Sequence, residues 1–142
     1  MKYDLVINFI LTGQLFNIPF GARTTRMELI QFLCNVEGFN KRNGVYEIIK
    51  KENAFFYFGF GTRGNLAGVK LNNLSSLEIT KNIIDDLLAK NNILNQSNGQ
   101  DHTYFLENGV KIYFKELRGQ KFVNEIIKAD SNVILNSLMS LN

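Results

Sequence analysis

Val110-Lys-Ile-Tyr-Phe-Lys115 alternates without a break. In an extended chain, Val110, Ile112 and Phe114 fall on one side and Lys111, Tyr113 and Lys115 on the other, the pattern of a strand with one buried and one wet face. Asn108-Gly109 stands before it and is a two-residue hairpin signal. Arg118-Gly119 follows and turns the chain into an apolar run from Lys121 to Lys128. The same order occurs earlier in the chain. Phe56-Tyr57-Phe58 lies between a turn at Glu52-Asn53 and a turn at Arg63-Gly64, and Leu66 to Leu71 follows. Phe56, Phe58 and Phe60 form the inward set here, while Phe55 and Tyr57 take the outward side. Each meander is preceded by a helical pattern, Thr25 to Leu33 for the first and Thr80 to Leu88 for the second.

The remaining elements extend this scheme. Lys2 to Leu11 is apolar and β-branched and reads as an N-terminal strand. Pro19 keeps Ile18 extended. Thr25 and Glu28 make a capping box that opens the first helix, whose stripe is Leu29, Phe32, Leu33 and Val36. Val45–Lys50, Ala54–Phe60 and Leu66–Leu71 form the first meander. Thr80 caps the second helix, with Ile83, Ile84, Leu87 and Leu88 inward. Asn91 to Asp101 is polar and reads as a mobile loop. His102–Leu106, Val110–Glu116 and Lys121–Lys128 form the second meander. Asp130 or Ser131 caps a last helix with Ile134, Leu135, Leu138 and Leu141 on one face. The expected fold is therefore α+β, with two helix-plus-antiparallel-meander repeats forming one sheet and helices on one face. The repeats span about 22–76 and 77–130, within one domain over 1–142 that ends in a helix at 131–142.

Composition fits this reading. The chain has 142 residues, 45% apolar and 20% charged, an ordinary globular balance. A chain of this length buries roughly 68–70% of its unfolded surface, so it needs no staples. A single cysteine, Cys34, forbids an internal disulfide and suits a reducing compartment, so a cytoplasmic setting is expected. The net charge of +3 is mild and spread out. The apolar opening stretch, Leu5 to Leu11, is too short to cross a membrane and reads as a buried strand rather than a secretory signal.

No pattern points to catalysis, a cofactor or a metal. His102 is the sole histidine. Cys34 sits by the apolar stripe of the first helix, where nothing lowers its pKa. Asp85 and Asp86 are adjacent, and a helix turns neighbours about 100° apart, so they read as a solvated face. Phe58-Gly-Phe-Gly-Thr-Arg-Gly64 is rich in glycine. A phosphate loop would need a helix directly after it, and an RNA-recognition sheet would need a different element order. Hairpin turns explain its glycines.

Gly13-Gln-Leu-Phe-Asn-Ile-Pro-Phe-Gly21, the Thr-capped helix with Glu28-Leu29, Tyr46 and the Phe56-Tyr57-Phe58 strand together resemble small bacterial immunity proteins, the antidotes to polymorphic and contact-dependent growth-inhibition toxins. The match covers about the first half of the chain. It departs from the pattern where Leu33 is followed by Cys34-Asn35 rather than glycine. The doubled helix-plus-meander layout is similar to that of the β-lactamase inhibitor proteins, an analogy of fold. The resemblance implies a protein without enzymatic activity or cofactor that neutralises a toxin domain by binding it. The outward aromatic and basic residues give its expected contact set: Phe55, Tyr57, Arg63, Lys111, Tyr113, Lys115 and Arg118. Two alternatives stay open. The last helix or the first strand covers these rings, or the same lysines and tyrosines bind single-stranded nucleic acid.

Overall fold

A computed structural model of the chain describes residues 4–14, 39–41, 46–51, 54–61, 64–97 and 102–140. The expected first helix, the Pro19 segment, Cys34 and Arg63 lie outside the described residues. The described elements, in order, are α1 (Asp4–Thr12), β1 (Phe39–Lys41), β2 (Tyr46–Lys51), β3 (Ala54–Phe60), β4 (Leu66–Asn72), a 3-10 turn (Leu74–Leu77), α2 (Lys81–Lys90), β5 (Thr103–Phe105), β6 (Lys111–Leu117), β7 (Gln120–Ala129) and α3 (Asn132–Met139). The architecture is α+β. The described strands form one antiparallel sheet in the order β1-β2-β3-β4-β7-β6-β5.

That order places the two meanders back to back. β4 and β7 join them, pairing Lys70 with Ile127 and Leu71 with Ile126. The shift that carries Tyr57 onto Tyr113 also carries Lys70 onto Ile126 and Leu71 onto Ile127. The junction thus has the self-complementary geometry of an isologous dimer, built within one chain.

The alternation read from sequence sorts the two faces. Phe56, Phe58, Phe60, Val110, Ile112 and Phe114 are all buried in the main core. Val6, Phe9 and Ile10 of α1 and Ile84 and Leu88 of α2 pack against them. Thr80 Oγ1 accepts a hydrogen bond from the Ile83 amide, the cap expected at the start of α2.

The expected N-terminal strand is instead helix α1. Its β-branched residues favour a strand, but Val6, Phe9, Ile10 and Gly13 recur at helical spacing, and burial of that stripe outweighs intrinsic preference. Gly13 ends the helix at φ +71, and its amide bonds to the Phe9 carbonyl. Lys128 Nζ donates to the Gly13 carbonyl, and Asn108 Nδ2 donates to the Ile10 carbonyl. Two donors from the second meander therefore satisfy the carbonyl end of α1.

The helices do not share one face. α3 lies across β3, β4 and β7 on the side opposite α1 and α2, and Leu138 packs there with Tyr57 and Ile127. Ser131 is its cap, accepting from the Ile134 amide. Two glycines seat it. Gly59 and Gly68 are cross-strand partners. A Cβ on Gly68 would meet Ile134 Cγ2 and Leu138 Cδ1, each at 2.6 Å, too close for any side chain without movement. Asn108-Gly109 also closes differently from expectation. The Gly109 amide bonds to the Leu106 carbonyl and the Leu106 amide to the Val110 carbonyl, so the loop is Glu107-Asn108-Gly109 with glycine at φ +88. The two-residue turn is Arg118-Gly119, with both φ values positive, between the paired Leu117 and Gln120.

Candidate functional site

The sheet face under α3 carries the residues that the alternation points outward. Its central row runs Tyr57, Lys70, Ile127, Lys111 and Phe105 by successive cross-strand pairing. α3 divides this row. Tyr57 is only 3% exposed, sealed beneath the helix, so it offers no surface. Phe55 is half-buried, with its ring stacked on Tyr57 at 6.3 Å. Beneath α3 lies the buried cation Lys70. Its Nζ is 3.2 Å from Glu125, donates to the Leu138 carbonyl at 3.0 Å, and sits 5.5 Å from the Tyr57 ring centroid. A charge taken out of water needs this set of partners. The carbonyl end of α3 suits it because the helix dipole is negative there.

Beyond α3 the face opens. Phe105 is 36% exposed, and Lys111 Nζ stands 5.5 Å over its ring. Tyr113 is half-buried against the edge of the α3 cluster. Its pKa is raised by burial, reinforced by Glu125, its cross-strand partner. Its hydroxyl therefore stays protonated and able to donate. Lys115 is exposed two residues on. The structure thus brings Lys111, Tyr113 and Lys115 into line on β6 and adds Phe105. The sequence reading left Phe105 out, although its place in the Thr103–Phe105 alternation puts it outward.

Arg118 is not part of this line. It sits at the β6–β7 tip, in a cleft shared with the 3-10 turn and the start of α2. The described part of the polar stretch after α2, as far as Ser97, is also better held than its composition suggests. The Gln96 amide bonds to the Phe105 carbonyl at 2.6 Å, and Asn95 Oδ1 accepts from the Phe105 amide. These bonds occupy the outer edge of β5 and fix the backbone that carries Phe105.

Asp85 is more than a solvated carboxylate. Its Oδ1 accepts a 2.6 Å hydrogen bond from the Tyr104 hydroxyl, and its Oδ2 lies 3.2 Å from Lys81 Nζ. Asp86 is exposed. Among the described residues no group of three or more histidine, cysteine, aspartate or glutamate side chains could hold a metal ion. No helix among them is long and apolar enough to cross a membrane.

Comparison with known proteins identifies a fold but no family. No family model matches the chain, and no curated protein does. Among solved structures it is similar to a DUF4309 family protein (YjgB) from Bacillus subtilis subsp. subtilis str. 168, with a TM-score of 0.50 and 11% identity, covering 89% of this chain and 94% of that one. At that identity the likeness concerns the fold alone.

Proposed function

We propose that this chain is a cytoplasmic immunity protein that neutralises a toxin domain by gripping it with the part of the sheet that α3 leaves open. The observation that carries the reading is the line Phe105, Lys111, Tyr113 and Lys115. It presents aromatic surface flanked by cations, on strands whose other face is anchored in the core. Such surfaces suit protein partners, where a few aromatic anchors ringed by charges supply most of the affinity. Rigid strands limit the ordering cost on binding. The net charge of +3 favours an acidic partner surface. Glu125 beside Tyr113 is paired with buried Lys70, so Lys111 and Lys115 make only a small phosphate footprint on this face and a protein partner is the favoured reading.

The test is the affinity of the wild-type chain and a Lys111→Ala/Tyr113→Ala variant for the toxin domain that this reading requires. Losing two such contacts is expected to weaken binding by about 30- to 1,000-fold, the range for one or two hot-spot residues. Lys111→Ala alone, which leaves the half-buried Tyr113 ring against the α3 cluster in place, separates lost contact from lost stability. Equal affinity for wild type and variant contradicts the assignment of this face. Binding to single-stranded oligonucleotides that falls steeply with salt would replace the protein reading with the nucleic-acid one.

A further inference from the structure

A cleft of about 440 Å³ opens between the 3-10 turn, the start of α2 and the β6–β7 hairpin, just past Lys115, whose cross-strand partner is Phe122. Ser75, Glu78, Thr80, Leu117, Arg118, Gln120 and Phe122 line it. Leu117 and Phe122 form an apolar wall, and Ser75, Thr80 and Gln120 bring hydroxyl and amide groups. Glu78 and Arg118 supply one charge of each sign. Among the described residues neither of these two pairs with the other or with any other charge. Both sit on backbone in the left-handed region, Glu78 at φ 57 and Arg118 at φ 54. For non-glycine residues such backbone conformations are uncommon and costly. The neighbouring Lys81 is already engaged by Asp85, so the cleft is not simply cationic.

We infer that this cleft binds a small zwitterion with an apolar body, of the chemical class of an unblocked dipeptide. The ammonium group would face Glu78 and the carboxylate Arg118, whose guanidinium matches a carboxylate in bidentate geometry. The apolar side chains would lie against Leu117 and Phe122. The peptide group would meet Gln120 and the hydroxyls. The volume falls within the usual range for small-molecule sites, roughly 300–1,000 Å³, and exceeds what a single small amino acid fills. Opposite charges held on separate elements, the 3-10 turn and the hairpin tip, select a ligand that carries both.

The experiment is an NMR titration of the full chain with Leu-Leu, its N-acetylated form and its C-amidated form. It is repeated with Glu78→Gln and Arg118→Gln, exposed positions whose substitution leaves the core untouched. Leu-Leu should give saturable shifts at the amides of Glu78, Thr80, Arg118 and Phe122. Blocking either terminus should weaken binding about tenfold or more. Glu78→Gln should remove the penalty for acetylation, and Arg118→Gln the penalty for amidation. Absence of saturable shifts at millimolar ligand, shifts mapping elsewhere, or equal binding of the blocked forms each overturns the inference. The toxin-affinity measurement substitutes Lys111 and Tyr113, neither of which lines the cleft, so either proposal can fail alone.

Discussion

Tyr104 joins three elements through one side chain. Its ring meets Phe114 edge to face at 4.8 Å, Lys81 Nζ lies 5.4 Å from its centroid, and its hydroxyl donates to Asp85. Burial raises its pKa, and the hydrogen bond to Asp85 adds to the effect. Lys81 is raised as well, first by its contact with Tyr104 and further by Asp85. Both groups therefore hold their protons more tightly when folded. The stability they contribute is complete below the unfolded values of about 10 and 10.4 and is lost as pH climbs through the folded ones. Tyr113 acts in the same direction. Lys128, lowered by burial, opposes them, because the folded chain releases that proton first and gains stability across its window. Tyr104→Phe should consequently flatten the fall in melting temperature between about pH 9 and pH 11.5 without abolishing it, since Tyr113 remains. Thermal melts of both proteins across that range check this, and parallel curves would contradict the role of Tyr104.

Element by element, α3 is a short helix with one fully buried side chain, Leu138. That burial contributes roughly 1.5–3 kcal/mol, so the helix depends on its fit to the sheet. Gly68→Ala places a methyl group within 2.6 Å of both Ile134 and Leu138, whereas a methyl at Gly59 approaches only Ile134 closely, at 3.2 Å. Overpacking of this kind costs about 1–3 kcal/mol. Urea denaturation should show Gly68→Ala clearly destabilised and Gly59→Ala less so; the reverse order would mean that α3 does not sit where described. Elements with caps and clean alternation were legible in the sequence, as Thr80, Ser131 and the Val110–Lys115 strand show. α1 was not, because Val6, Ile7 and Ile10 favour strand while their spacing favours helix, and in a short segment the spacing prevails only through what packs against it. Asn108-Gly109 misled in a similar way. The dipeptide marks a turn, but the hydrogen bonds from Leu106 to Val110 set its length.

Across the whole molecule, the doubled pattern in the sequence foretold two antiparallel meanders in one sheet, because alternation fixes which face each strand buries and short turns leave neighbours antiparallel, but not that they meet back to back through β4 and β7. It could not foretell which half of the outer face stays open. That depends on where α3 lands, and its landing rests on long-range contacts of Leu138 with Tyr57 and of Lys70 with Leu138 and Glu125. The expected contact set was split for this reason, with Tyr57 sealed and Lys111, Tyr113 and Lys115 left outside. Hydrogen–deuterium exchange of the chain alone and saturated with the toxin domain that the proposed function requires tests this division most directly. The account predicts new protection across Thr103–Phe105 and Lys111–Leu117, with Leu66–Leu71 beneath α3 unchanged. Protection confined to the α1 and α2 side of the sheet, or none anywhere at saturating toxin, would contradict it.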